Sequence, residues 1–364
     1  DRSTIPASAH LNMRLPWKRK SSQDQLVVSW SAGVCAYVRA RPAAKGQFEV
    51  QQMGVERQGQ DSWQDFVRRL QALGLKGGEV HVMLRPEQYQ LLQIDAPPVA
   101  PDELRAAARF QIREMVNVHI DDITLDVMQV GDGQQKGSNH LFVVAAKNEI
   151  VREVIALGDA LNWKIPVIDI QETAQRNLQS TLAKVDGRLE RADAALLISD
   201  ESQAVLTISA NEELFFTRRL DLPQGFLAMA WGDIQDTTDD VAPDAFTPVS
   251  EYVPDYVNTG AAGPVNSSAN MGDAERVQRF LVEVQRSLDL WDRTWSSMPL
   301  SGLRVYAGQR SAEMAGWLGR ELGQAVTAIN LEAQFPGLQS VPMADQIYCL
   351  PLLGVLLRSE TRKL

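Results

Sequence analysis

Apolar positions along the chain alternate with polar ones in two periods, and the change from one period to the other repeats in each half. Leu26 to Ala40 (LVVSWSAGVCAYVRA) and Ala194 to Ser209 (AALLISDESQAVLTIS) each read as a buried strand, a short polar turn and a second strand. Phe48 to Glu56 extends the first hairpin by a third strand. DSWQDFVRRLQALGL then shifts to helical spacing, with Asp61 or Ser62 as cap and Trp63, Phe66, Leu70 and Leu73 on one face. EVHVMLRP and YQLLQIDAP read as strands, and the break APPVAP leads into a helix from Asp102 to Asn117. Asp102 is its expected cap, and Leu104, Ala108, Gln111 and Met115 share one expected face. DITLDVMQV and HLFVVAAK bracket a hairpin loop. A helix opened by Lys147 or Asn148 runs to Leu161, the strand KIPVIDIQ follows, and ETAQRNLQSTLA is the next helix.

The second half repeats the scheme with one interruption. After its hairpin and the strand ELFFTRRLDLP, a helix is expected from about Gln224 to Ile234. From Gly232 to Gly272 there are seven acidic residues (Asp233, Asp236, Asp239, Asp240, Asp244, Glu251, Asp255) and no Lys or Arg. Such a segment buries too little apolar area to offset the entropy of ordering it, so a mobile acidic loop is expected, either bait for a basic partner or a plain linker. Val277, Phe280, Leu281, Val284, Leu288 and Trp291 then form the stripe of a long helix. GLRVYAG and AVTAINL read as strands around the helix SAEMAGWLGREL, which Gly323 ends, and YCLPLLGVLLR reads as a buried last helix. Alternating strands and helices define an α/β protein, and a hairpin opening each half suggests a duplicated two-lobed fold. The divisions are a basic tail at 13–24, a first lobe at 25–185 with a small inserted subdomain at about 88–164, and a second lobe at 186–364 carrying the insertion 232–272.

Composition and charge narrow the function. With 364 residues the chain exceeds one core of usual size, and a net charge of -10 argues against nucleic acid as a partner. Cys35 and Cys349 both lie in apolar runs and read as buried reduced thiols. No apolar run approaches a membrane span. Met13 is read as the natural start, which leaves residues 1–12 as upstream or expression-derived sequence. Arg14, Trp17, Lys18, Arg19 and Lys20 then form either a weak anchor for an anionic membrane, at ~1 kcal/mol per cation, or a solvated tail. Arg105, Arg109 and Arg113, at i, i+4 and i+8, form a basic stripe: a solvated face, or a site for an acidic peptide. His10, His81, His119 and His140 have no metal-ligand spacing, and no nucleophile elbow, phosphate loop or dinucleotide fingerprint is present. Asp121 and Asp122 sit at a turn, where capping explains them.

The order of segments resembles the PilM-like actin-fold proteins of type IV pilus assembly, most nearly the branch serving mannose-sensitive haemagglutinin (MSHA) pili. The resemblance covers most of Leu26 to Arg358 apart from the insertion. It rests on LLQIDAPPVAPDELRAAARFQIREMVNVHIDDITLDVMQV, on LFVVAAKNEIVREVIALGDALNWKIPVIDIQETAQRNLQ and on ERVQRFLVEVQRSLDLW. It implies a two-lobed actin-like (ribonuclease H-type duplicated) α/β fold, with a nucleotide between the hairpin turns. The residues depart from that pattern. The family's first turn, DxGxxxxK, falls on Ser29, Ser31 and Ala36; the second falls on Ile198 and Asp200 with Gln203 beyond; the adenine turn keeps only Gly308. Without the carboxylate, the close-approach glycine and the lysine, tight ATP binding is not expected and no cofactor is assigned, weak ATP with magnesium staying open. The resemblance further implies a non-catalytic cytoplasmic adaptor, peripheral to the inner membrane, that holds the cytoplasmic tail of a PilN-like membrane protein. Leu104, Arg105, Arg109, Arg113 and Met115 are its candidate contacts. The rival readings are a nucleotide-binding actin-like ATPase and an FtsA-like filament former, and a homo-oligomer stays open.

Overall fold

The computed structural model describes residues 24–131, 140–232 and 272–359. The basic tail with Arg14, Trp17, Lys18, Arg19 and Lys20, the loop beyond Gly131, and the interior of the acidic insertion lie outside the described residues. The first part runs β1 (Gln25–Ser31), β2 (Val34–Pro42), β3 (Phe48–Arg57), α1 (Trp63–Ala72) and β4 (Val80–Leu84), then β5 (Tyr89–Asp95), α2 (Leu104–Gln111), β6 (Ile123–Gln129) and β7 (His140–Lys147). It continues through α3 (Asn148–Leu161), β8 (Ile168–Ile170) and α4 (Gln171–Val185). The second part runs β9 (Ala192–Ile198), β10 (Gln203–Ala210), β11 (Glu213–Asp221), α5 (Asp273–Thr294), β12 (Leu300–Tyr306), α6 (Ser311–Leu322), β13 (Val326–Ala328) and α7 (Met343–Leu356).

The duplication is visible in the strand order. Among the described residues one five-stranded sheet is ordered β3-β2-β1-β4-β8 and the other β11-β10-β9-β12-β13. In each, three strands form an antiparallel meander and the last two run parallel to the first. The small third sheet, β5-β7-β6, is inserted in the first lobe where the second lobe has only α6. Ala32 (φ 49) and Gly33 (φ 75) turn β1 into β2, a two-residue turn whose left-handed backbone matches the strand twist.

Both faces of the central strands are covered, which is why they read as near-continuous apolar runs. Val28, Trp30 and Val82 pack outward on Phe66 and Leu70 of α1 and on Leu157 and Leu161 of α3. Val27, Val38 and Met83 pack inward with Leu352 and Leu353 of α7, in a layer that also takes in Ala195 and Leu197 of β9. Helix α7, late in the chain, therefore lies under the first sheet. Helix α4 reaches the second sheet instead, through a stripe of glutamines. Gln175 donates to the carbonyls of Ala195 (3.0 Å) and Val205 (2.9 Å), and Gln179 donates to that of Asp193. The two helices cross at Gly354 and Ala174, and Asn177 Nδ2 donates to the Gly354 carbonyl at 3.1 Å.

Two of the expected helices need correction. The helix expected from about Gln224 to Ile234 is, among the described residues, a 3-10 turn at Phe226–Ala228. Gly225 enters it at φ 76, outside the helical region, and the Trp231 indole donates to the Phe226 carbonyl across the bend. The helix expected over Asp102 to Asn117 is α2 followed by a 3-10 turn at Ile112–Glu114. Its N-terminal flank is Glu103, with no side-chain cap, so Asp102 does not cap it. Its buried face is Ala108 with Ile112 and Val116, while Gln111 and Met115 are exposed. Ile112, where the helix tightens into the 3-10 turn, is buried in one cluster with Ile123, Leu125 and Val143.

Candidate functional site

The polar residues of the turns that would hold a nucleotide are already engaged by the protein itself. Arg85, at the end of β4, is 2% exposed. Its Nε donates to Ser29 Oγ at 3.3 Å, its Nη2 donates to the Tyr348 carbonyl at 2.6 Å, and its guanidinium lies 3.5 Å from the Tyr348 ring centroid. Ser31 Oγ donates to Glu87 at 2.7 Å, and Gln88 Nε2 donates to the Trp30 carbonyl at 2.8 Å. Asp200 caps its own turn, accepting from Ser202 N, Ser202 Oγ and Gln203 N. Ala36 is fully buried among the residues packed on α7. At Gly308 (φ 60) an added Cβ would lie 2.5 Å from Ile347 Cδ1, so α7 covers the position where the resemblance puts the base.

These residues do not fit a magnesium nucleotide. Magnesium takes hard oxygen ligands, usually carboxylates; here a serine stands beside a buried guanidinium that repels a second cation, while Glu87 is bonded to Ser31 and Asp200 is spent on its own turn. Among the described residues no cluster of three or more His, Cys, Asp or Glu could hold a metal. Arg85 is the residue the sequence reading missed: in RP after a strand it looks like an ordinary terminal cation. Only the fold brings Tyr348, 263 positions later, against it.

A second network joins the lobes. Glu172, at the start of α4, is fully buried. It accepts from the Tyr89 hydroxyl and from Arg219 Nε (3.1 Å) and Nη2 (3.0 Å). Arg219 belongs to β11, and its Nη1 also donates to the first-lobe carbonyls of Pro86 (2.5 Å) and Tyr89 (3.3 Å). Burial, reinforced by the Glu172 carboxylate, holds the Tyr89 hydroxyl well above its ordinary pKa, so it stays a donor.

The five partner-contact candidates do not form one surface. Arg109 is half-buried and donates to the carbonyls of Ile120 (2.6 Å) and Ile123 (3.0 Å), so it pins the chain that follows its own helix. Arg105 pairs with Asp126 on β6 at 2.9 Å, Arg113 is exposed, and Leu104 packs partly on the α2 core. Met115 instead lines a cavity of about 410 Å³ between β5 and β11. Phe110, 78% exposed beside them, was not singled out by the sequence, whose expected face was Leu104, Ala108, Gln111 and Met115.

The larger opening is a groove of about 810 Å³ between the small sheet and the first lobe. Its walls are β6 (Asp126 to Gln129) and β8, each an outermost strand of its sheet, its floor is the outer face of α4 with the end of α7, and Glu212 to Leu214 of the second lobe close one end. Asp169 and Arg358 pair within it, yet Asp169 Oδ2 and Arg358 Nε are buried without a partner. Arg105, through Asp126, stands at its rim.

Two lobes of identical strand order around a shared pair of crossing helices are the two-lobed actin-like fold, and comparison with known proteins agrees. No family model matches the chain, and no curated protein does. Among solved structures the chain is similar to one described as a PilM-PilN type IV pilus biogenesis complex, with TM-score 0.61 and 14% identity over 93% of this chain and 99% of that one. Further matches are the cytoplasmic domain of EpsL, an inner membrane component of the type II secretion system of Vibrio cholerae (TM-score 0.38, 13% identity, 72% and 95% covered), and a Bacteroides thetaiotaomicron protein with an actin-like ATPase fold (0.44, 8%, 86% and 95%).

Proposed function

We propose that this protein is a non-enzymatic adaptor of a type IV pilus-type assembly platform, of the MshI kind that serves MSHA pili. It works at the cytoplasmic face of the inner membrane and holds the cytoplasmic tail of a PilN-like single-span protein. The observation that carries this reading is Arg85. A buried protein cation, stacked on Tyr348 and bonded to Ser29, stands against the first turn, where an actin-like ATPase needs a carboxylate-held metal. The fold is kept and the nucleotide chemistry is not, which leaves binding as the use of the scaffold. The match in overall shape to a PilM-PilN complex, across nearly the full length of both chains, supports the choice of partner.

The tail lies on the first lobe beside the small subdomain, with the exposed Arg113 and Arg105, which would exchange its Asp126 partner, as the cations that meet it and Leu104, Met115 and Arg109 as the ground around them. Two measurements test the reading together. Calorimetry with magnesium ATP to millimolar concentration is expected to show no heat, and micromolar affinity overturns the non-enzymatic half. A peptide of the tail is expected to capture the full chain. The Arg105→Glu, Arg113→Glu pair should weaken capture several-fold, while Arg109→Glu also loosens the subdomain, because it frees two carbonyls. Undiminished capture by the pair moves the contact off this edge.

A further inference from the structure

We infer that the outer edge of β13 joins this chain to a second copy of itself. The two edges pair antiparallel about a two-fold axis at Thr327, so that the two second-lobe sheets become one. The inference does not depend on which tail the protein holds.

The backbone leaves that edge open. Leu303 N donates to the Ala325 carbonyl at 2.9 Å and Ile329 N to the Val305 carbonyl at 2.8 Å, with Leu303 opposite Val326 and Val305 opposite Ala328. In a parallel ladder this phase turns the N–H and C=O of Thr327 toward β12 and those of Val326 and Ala328 outward. Every other outermost strand among the described residues faces part of the protein. Phe48 and Val50 of β3 donate to the Gln334 and Pro336 carbonyls, and the Leu214 carbonyl of β11 accepts from Gly131. Strands β6 and β8 line the large groove, and β5 lines the cavity it shares with β11. Beyond β13 there is no such neighbour among the described residues.

Charge and the adjoining helix choose a second copy as the occupant. The chain has a net charge of -10, yet from Gly323 to Leu331 it carries no charged residue. Sheet edges are commonly guarded by charge, proline or a bulge, and this stretch has none of them. It is a place where two acidic molecules meet without repulsion. Antiparallel pairing about Thr327 sets Val326 against Ala328, Gln324 against Asn330 and Thr327 against its own copy, so apolar, amide and hydroxyl groups each meet their kind.

Helix α6 lies over β13, and a Cβ added at Gly319 would sit 3.8 Å from Val326 Cβ. Trp317 turns toward the body of the lobe, stacked on Trp231 with ring centroids 6.0 Å apart. On the far flank Ala312, Gly316 and Gly319 fall at i, i+4 and i+7. Strands of a joined sheet lie about 4.8 Å apart, so the two α6 helices meet above the seam. Small residues on that flank let their axes come within the 8–10 Å or so of packed helices. Strand β13 is three residues long, so backbone bonds fix the register and the helices supply most of the buried area. On the adaptor reading such a pair carries two tails, and that consequence alone rests on it.

Sedimentation of the full chain tests the inference, and the parent is expected to be a dimer at micromolar concentration. Thr327 is exposed and its backbone groups are bonded to β12, so its side chain changes without loss of a ladder bond. Thr327→Lys and Thr327→Glu each set like charges opposite one another, and each should raise the dimer Kd roughly fivefold. An equal mixture of the two should pair at least as well as the parent, a recovery that misfolding does not give. Ala328→Pro removes an outward N–H from each copy but no bond to β12, and should weaken pairing about tenfold or more with an unchanged melting curve. A parent that stays monomeric, a dimer indifferent to Thr327→Lys and Ala328→Pro, or charge variants that remain apart when mixed overturns the inference.

Discussion

Among the described glycines, the one whose added Cβ would meet main-chain atoms most closely lies where α4 and α7 cross, and Gly354→Ala tests that crossing. A Cβ at Gly354 would lie 2.0 Å from the Ala174 carbonyl oxygen, 2.5 Å from its carbon and 3.1 Å from its Cα. All three are main-chain atoms, so no rotamer change relieves the overlap, and the helices must separate by about 1.4 Å to reach ordinary contact, which begins at 3.4 Å. Overpacking of this kind costs about 1–3 kcal/mol, and a backbone obstacle puts it at the upper end. Separation also lengthens the Asn177 bond to the Gly354 carbonyl, worth about 1 kcal/mol. Against this, alanine gains roughly 1 kcal/mol over glycine inside a helix. The balance is a loss of about 3 kcal/mol, read as a fall in the urea midpoint at unchanged slope. Gly316→Ala, in α6, is the matched control: its Cβ meets only Arg320 Nη1 at 3.6 Å, so the helix gain stands alone and stability should rise by about 1 kcal/mol. If Gly354→Ala proves as stable as the parent while Gly316→Ala behaves as stated, the helices do not cross as described. Because α7 lies under the first sheet and α4 on the second, the same variant should also open the angle between lobes, seen as a larger radius of gyration in X-ray scattering.

Two further outcomes concern buried polar groups. Arg219→Met leaves the fully buried Glu172 without its cation and should cost about 3–5 kcal/mol in urea unfolding. Adding Glu172→Met should recover most of that loss, and an unchanged midpoint for Arg219→Met would mean the lobes are not joined there. Burial pushes the Cys349 thiol up to about 12 and the Cys35 thiol higher still, so neither should be alkylated faster than the protein unfolds. The sign for stability follows: the unfolded thiols ionise from pH about 8.5 while the folded ones stay protonated, so stability falls by ~1.4 kcal/mol per pH unit per thiol above that point. Rapid alkylation of the native protein would show that the α7 contact is open.

What the sequence disclosed and what it hid divide along a physical line. Strands such as Val27 to Trp30 and Leu196 to Ile198 declared themselves because burial of both faces leaves an apolar run, and α5 did so because one stripe faces one sheet. Local period sufficed for both. Gln171, Gln175 and Gln179 mark where period misleads: at i, i+4 and i+8 they look like a solvated face, yet each is buried, spending its amide on the second lobe. Arg105, Arg109 and Arg113 looked alike by spacing, yet the turn after α2 brings two carbonyls to Arg109 and leaves Arg113 exposed. Arg85 with Tyr348, and Asp169 with Arg358, are separated by most of the chain and carry no local signature.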